Sequence, residues 1–234
     1  MLTHRTSFLF VCLSLFLFAD LHGQVVRHFA TATVDEPQVF LGIHLEAGDQ
    51  ISVSLKYDSD TPATNPGQSP AEYQVSGINV VGLSVSGIGV GIDDSVQIVI
   101  ENDGPKGDSM QIFTDFDGGN ELTLSLELVD STGTVFADES LPTEPLAVSD
   151  FDTIAGTAND IVSQGVLDFE ANELTGDSFV PGDVNGDGFA NLLDIVPFVN
   201  MPANGPFIPA ADLNCDGAID LFDVAPFVAA ISGG

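Results

Sequence analysis

Several runs of the chain alternate strictly between apolar and polar residues, and this pattern limits the fold more than any other feature. The clearest runs cover residues 39–45, 51–57, 96–100 and 122–128. Side chains on a β-strand point to opposite faces in turn, so each run has one face for a core and one for water. Weaker runs of the same kind cover residues 25–34, 74–85, 109–116 and 165–169. The chain is therefore predicted to be mainly β.

Glycine, proline and aspartate separate these runs. A proline-rich stretch at residues 61–70 cannot continue a strand ladder, because proline lacks a backbone N–H. Residues 102–105, 117–120 and 130–133 have the composition of hairpin turns. Since no amphipathic helix separates the runs, we predict an antiparallel β-sandwich over residues 24–176.

The first 23 residues have the layout of a secretory signal peptide. A basic start precedes an apolar run at residues 8–19, which is too short to span a bilayer comfortably. Cleavage is expected after Ala19 or Gly23, and the mature protein is expected to be secreted or held at the cell surface. Cys215 is the single cysteine left after cleavage. It is therefore either a free thiol or the link of a disulfide-bonded dimer.

Acidic residues greatly outnumber basic ones. The chain has 35 Asp and Glu against 4 Lys and Arg, a formal net charge of −31. Nucleic acids and anionic membranes bind through Lys and Arg, so neither is expected as a partner. The charge reflects either a saline habitat or bound divalent cations, both of which relieve self-repulsion. Because 44% of residues are apolar, the composition is that of a folded protein, and no stretch after the signal peptide is apolar enough for a membrane span.

The last quarter of the chain holds two copies of a twelve-residue loop pattern, 29 residues apart. Each copy has oxygen-bearing side chains at positions 1, 3, 5, 9 and 12 and Gly at position 6, as a calcium loop requires. The first loop is expected to bind one Ca²⁺ through the side chains of Asp183, Asn185, Asp187 and Asp194 and the carbonyl of Phe189, with Asn191 contributing directly or through water. The second is expected to bind another through Asp212, Asn214, Asp216, Asp220 and Asp223 and the carbonyl of Ala218. The alternative is a pair of acidic turns that bind nothing.

Each loop is followed by an apolar segment and preceded by none that could be a helix. Asn191 and Asp220 are suitable N-cap residues, so a helix is expected to begin after each. Both segments are apolar nearly all round, and we expect them to pack on each other. Pro197 and Pro226 are expected to kink or break these helices. Residues 177–234 are therefore predicted to form a small α-helical calcium-binding module after the β-sandwich.

Residues 182–232 resemble a type I dockerin, which consists of two half EF-hand repeats at the C-terminus of an exported protein. The resemblance implies a cohesin-like or other extracellular protein receptor, contacted through loop positions 10 and 11. Those positions are Leu192, Leu193, Leu221 and Phe222, and no Lys or Arg follows them. In this respect the segment resembles the dockerin-like tails of planctomycete secreted proteins more than it resembles cellulosomal dockerins.

The N-terminal part resembles an uncharacterised exported β-domain, to which no activity is assigned. The similarity lies in residues 57–66 and 128–136, together with Leu141-Pro and the stretch at residues 149–152.

The sequence gives little support for catalysis. After the signal peptide only His28 and His44 remain as histidines, both in strand-like runs, and neither a nucleophile elbow nor a zinc-binding histidine pair is present. We therefore expect no catalytic residues. The alternative is a glycoside hydrolase or a carbohydrate-binding protein displayed through the dockerin-like segment, since two carboxylates suffice for glycoside hydrolysis. The chain has no Trp and only two Tyr for stacking on sugar rings.

Overall fold

The computed structural model describes residues 24–116, 122–162, 164–201, 208–213 and 219–232. The predicted signal peptide and the turn predicted at residues 117–120 lie outside this range. The described residues form these strands: β1 (Val25–Thr33), β2 (Gln38–Phe40), β3 (Ile43–Leu45), β4 (Gln50–Asp58), β5 (Ala71–Val85), β6 (Ile88–Gly104), β7 (Gly107–Phe116), β8 (Leu122–Asp130), β9 (Thr153–Asp160) and β10 (Gly165–Phe179). They also form two helices, α1 (Ile195–Val199) and α2 (Val224–Ser232).

Eight of the strands close into an antiparallel barrel. Their order is β1-β10-β9-β8-β7-β6-β5-β4, and β4 pairs back with β1. The predicted β-sandwich is therefore wrong. A sandwich and a barrel need the same alternation within each strand, and closure depends on the pairing of β1 with β10. That ladder places Val25 opposite Phe179, a contact that no local sequence pattern encodes.

Alternate residues of the eight strands fill the barrel with one core. Val53, Ile98, Ile112 and Leu124 are each at most 2% exposed. An eight-stranded barrel has an interior just wide enough for side chains to fill. The alternation predicted for β4, β6 and β8 is confirmed by their burial.

A hairpin of β2 and β3 stands where a single strand over residues 39–45 was expected. Leu41 and Gly42 separate the two strands, and both have positive φ, 51° and 75°. Two successive residues with positive φ form the tight turn that matches the twist of paired strands. The apolar–polar alternation continues through this turn, so the pattern alone could not reveal the break.

A long connection, residues 131–152, joins β8 to β9, although residues 130–133 were predicted to form a simple hairpin turn. Phe136 and Phe151 are buried within the connection, with ring centroids 6.3 Å apart. Asp130 accepts hydrogen bonds from the hydroxyl and N–H groups of Thr132 and Thr134. These bonds, the Thr132 hydroxyl foremost, hold the pKa of Asp130 well below its usual range.

The C-terminal segment contains less helix than predicted, so the small α-helical module is also wrong. Helix α1 has only 5 residues and α2 has 9. Helix α1 contains Pro197 and ends just before residues 200–209, which hold three further prolines. Proline removes a backbone donor and disfavours helical geometry in the residue before it. No helix in the described residues is long and apolar enough to cross a membrane.

A second, smaller core holds the two repeats together. Val184, Ala211 and Phe227 are buried in it, and Phe198 packs against them. The rings of Phe198 and Phe227, which occupy equivalent places in the two repeats, stack with centroids 4.0 Å apart and planes 6° apart. The apolar segments of the two repeats therefore contact each other, as their composition predicts.

Candidate metal centre

The first loop is coiled around the carboxylate of Asp183, at position 1. Its Oδ1 accepts hydrogen bonds from the N–H groups of Gly186 (2.8 Å) and Asp187 (3.0 Å), and its Oδ2 accepts one from Gly188 (2.7 Å). Gly188, at position 6, has φ of 90°. Glycine adopts a positive φ without the strain that a side chain would cause, which explains the glycine at this position.

Asp194, at position 12, links the two ends of the same loop. Its side chain is fully buried and accepts hydrogen bonds from the N–H groups of Asn185 and Asn191, each 2.9 Å long. The Asn191 side chain in turn accepts from the N–H of Leu193 at 2.8 Å, which confirms Asn191 as an N-cap. The element it caps is a 3₁₀ turn at Leu192–Asp194 that leads into α1.

The oxygen atoms of this loop fit a hard cation. Each carboxylate offers about four lone-pair sites, and Asp194 uses two of them for backbone N–H groups. Asp187 and Asn185 are exposed, so their remaining oxygen sites can be reached from solvent. Within the described ranges, no group of three or more His, Cys, Asp or Glu side chains is arranged to hold a metal ion. A metal site in this loop therefore needs the amide oxygens of Asn185 and Asn191 and the Phe189 carbonyl as ligands in addition to the carboxylates.

The second loop is described only in part, since Asn214, Asp216 and Ala218 lie outside the described residues. The remaining part resembles the first loop, although Asp223 accepts from the N–H at loop position 2 and Asp194 from the N–H at position 3. Asp223 is fully buried and accepts from the N–H groups of Leu213 and Asp220, both at 2.8 Å. Asp220 accepts from the N–H of Phe222 at 2.7 Å. The two position-12 carboxylates thus hold their loops in nearly the same way.

Negative charge in this region has no cationic side chain nearby in sequence to balance it. Residues 177–234 contain eight Asp and no Lys, Arg or His. Carboxylates close to one another raise the free energy of the folded state unless a cation lies between them. A divalent cation in each loop would remove this repulsion.

The residues at loop positions 10 and 11 are exposed although they are large and apolar. Leu192 is 71% exposed and Leu193 is 68% exposed, while Leu221 and Phe222 reach 86% and 73%. Each pair directly precedes a fully buried position-12 aspartate, Asp194 or Asp223. Each candidate calcium site therefore has an exposed apolar pair directly beside it in the chain.

The second repeat also faces the barrel, which the sequence did not predict. Asp212 and Leu213 line a cavity of about 260 Å³ together with Val25 and Val80 of the barrel wall and Phe179 at the end of β10. This contact joins residues far apart in the chain, and no motif in either part signals it. Asp212 is only 7% exposed.

No protein-family model, no curated protein and no solved structure matches the chain. The dockerin-like character of residues 182–232 therefore stays a hypothesis based on the loop pattern.

Proposed function

We propose that this is an exported calcium-binding protein whose two C-terminal loops attach it to an extracellular protein partner. The β-barrel is the non-catalytic domain that this attachment holds in place. Two Ca²⁺ ions are the cofactors, one in each loop. The bound ions supply positive charge that fixes the carboxylates, and the chain supplies the oxygen ligands and the adjoining contact surface.

The observation that carries this proposal is the position of the exposed apolar pairs next to the buried position-12 aspartates. Leu221 and Phe222 are among the most exposed large apolar side chains, and Asp223 beside them is fully buried. A cation bound by Asp223 fixes the backbone of its neighbours. Exposed apolar groups that are held rigid bind a partner with less loss of conformational entropy.

The partner surface is expected to be apolar at its centre and basic at its rim. The apolar pairs need apolar contacts, because exposed patches of this kind mark interaction sites. The aspartates around them carry no balancing Lys or Arg. Opposite charge on the partner would speed association and exclude acidic competitors.

Calcium binding is tested by calorimetric titration of the full chain after removal of metal with EDTA. We expect two sites, with the second loop tighter, because it has four candidate carboxylates and the first has three. Asp183→Ala should then weaken the looser site, and Asp212→Ala the tighter one. Asp168→Asn, an exposed barrel aspartate, is the control and should change neither. No heat of binding in the unaltered protein would contradict the proposal.

Attachment is tested by capture of surface proteins from the source organism, with and without calcium. The double variant Leu221→Ser and Phe222→Ser should lose the captured partner while it still binds two calcium ions. The control is Val162→Ser, which removes an equally exposed apolar side chain, 70% exposed, from the barrel. Capture that persists in EDTA, or in the double variant, would show that the loops do not form the contact.

A further inference from the structure

The barrel wall opens between β6 and β7. In the described part of the chain, the β6–β7 ladder runs from the pair Gly104–Gly107 to the pair Gln97–Phe113 and includes no pair beyond it. Both strands continue past this point, and each stays paired with its other neighbour. The separation leaves a cleft of about 560 Å³ in the outer wall.

Buried polar groups form the floor of the cleft. Asp93 is 8% exposed and Thr114 is 6% exposed. The Thr114 hydroxyl donates to Oδ2 of Asp93 at 2.5 Å and lies 3.1 Å from the carbonyl oxygen of Ser95, so it bridges the two separated strands. The N–H of Ser95 donates to Oδ1 of Asp93 at 3.1 Å. These bonds fix the Asp93 carboxylate in place.

The rim of the cleft combines amides and hydroxyls with one aromatic ring. Phe113 is 41% exposed, and its cross-strand neighbours are Gln97 on β6 and Ser125 on β8. Gln74 and Asn159 also line the cleft. Side-chain amides both donate and accept hydrogen bonds, and carboxylates accept them. Together these side chains complement ligand groups, such as hydroxyls, that both donate and accept. The ring offers a flat apolar surface among them.

We propose that this cleft binds a neutral oligosaccharide. A pyranose ring has an apolar face of C–H groups and a rim of hydroxyls that both donate and accept, which is the complement of Phe113 and its surrounding amides. None of the lining residues is Lys, Arg or His, whereas Asp93 and Asp115 are acidic. The cleft therefore repels anionic sugars. This site goes beyond calcium-dependent attachment and does not require the loops.

The test is affinity electrophoresis of the full chain in EDTA, so that it can fail independently of calcium binding. The probes are xyloglucan, mixed-linkage β-glucan and galactomannan as neutral polysaccharides, and alginate as an anionic one. We expect at least one neutral polysaccharide to retard the protein and alginate to have no effect. No retardation by any neutral probe, or equal retardation by alginate, would overturn the proposal.

Variants then place the sugar in the cleft. Phe113→Ala should weaken binding at least tenfold. Phe29→Ala is the matched control, because Phe29 is also 41% exposed on the barrel but does not line the cleft. Melting temperatures show whether each variant is folded. If Phe113→Ala is not folded, Gln97→Ala, which removes an exposed amide from the cleft, replaces it as the cleft variant. Binding that is unchanged in the folded cleft variants would refute the assignment.

Discussion

Acid should destabilise this protein through one buried histidine. His28 on β1 is 5% exposed inside the barrel, and its Nε2 lies 3.1 Å from the hydroxyl of Tyr57. Its Nδ1 is buried and has no hydrogen-bond partner among the described residues. Burial lowers the pKa of His28 from 6.5 to about 4, although the charge of Asp177 acts in the opposite direction.

The direction of the effect follows from proton binding. Between pH 6.5 and about pH 4 the unfolded chain holds a proton on His28 and the folded chain does not, so the free energy of unfolding falls as the pH is lowered through this window. Each pKa unit is worth about 1.4 kcal/mol. A pKa lowered from 6.5 to about 4 therefore corresponds to a loss of roughly 3 kcal/mol when the window has been crossed.

Urea unfolding at a series of pH values from 7.5 to 5 measures this loss. The unaltered protein should lose about 2 kcal/mol more than His28→Phe over that range, since the variant has no group that titrates there. Acidic residues titrate alike in both proteins, so they cancel in the difference. Tyr57→Phe is the control for the lost hydrogen bond and should keep the pH dependence. Parallel curves for the unaltered protein and His28→Phe would refute the reasoning.

Three further substitutions test other parts of the structure. Gly107→Ala should lower the melting temperature far more than Gly87→Ala, although both glycines have positive φ. A Cβ on Gly107 would lie 2.1 Å from the Asp130 carbonyl oxygen, whereas a Cβ on Gly87 would have no atom within 4 Å. Phe227→Ala should reduce hydrogen-exchange protection of the repeats by about 3 kcal/mol, because it removes the stack on Phe198, while barrel amides should keep theirs. Hydrogen bonds lower the pKa of Asp130, so this carboxylate adds stability that is present above about pH 4 and is lost as the pH falls. Asp130→Asn should remove that contribution, and the free energy of unfolding of the variant should fall less steeply with acid than that of the unaltered protein.

Local sequence patterns predicted the strands better than they predicted the architecture. Alternation located β4 and β8 to within two residues at each end, because each has one buried and one exposed face. The strand β9 was not predicted, since its buried face carries the small residues Gly156 and Ala158 beside Ile154. Closure into a barrel depends on the pairing of distant strands, which leaves no trace in either strand alone.

The loops and the cleft differ in how far sequence could predict them. The twelve-residue loop pattern is local in sequence, so the turn at Gly188 and the N-cap at Asn191 could be predicted from spacing. The cleft around Phe113 brings together five strands, and it exists because one ladder stops early. The low content of Trp and Tyr hid it further, since Phe113 resembles a core residue until its exposure is known.

The pairing of the first and last barrel strands decides how the protein responds to pulling. Residues 24 and 180 leave the antiparallel β1–β10 ladder at the same end, where Val25 faces Phe179. Tension between these two points breaks the hydrogen-bonded pairs of the ladder one after another from this end, instead of loading all pairs at the same time. Arg27 stands at that end: its Nε donates to Asp177 at 2.7 Å and its guanidinium lies 5.1 Å from the Phe179 ring centroid. Under load, the barrel wall would therefore yield first at the ion pair of Arg27 and Asp177.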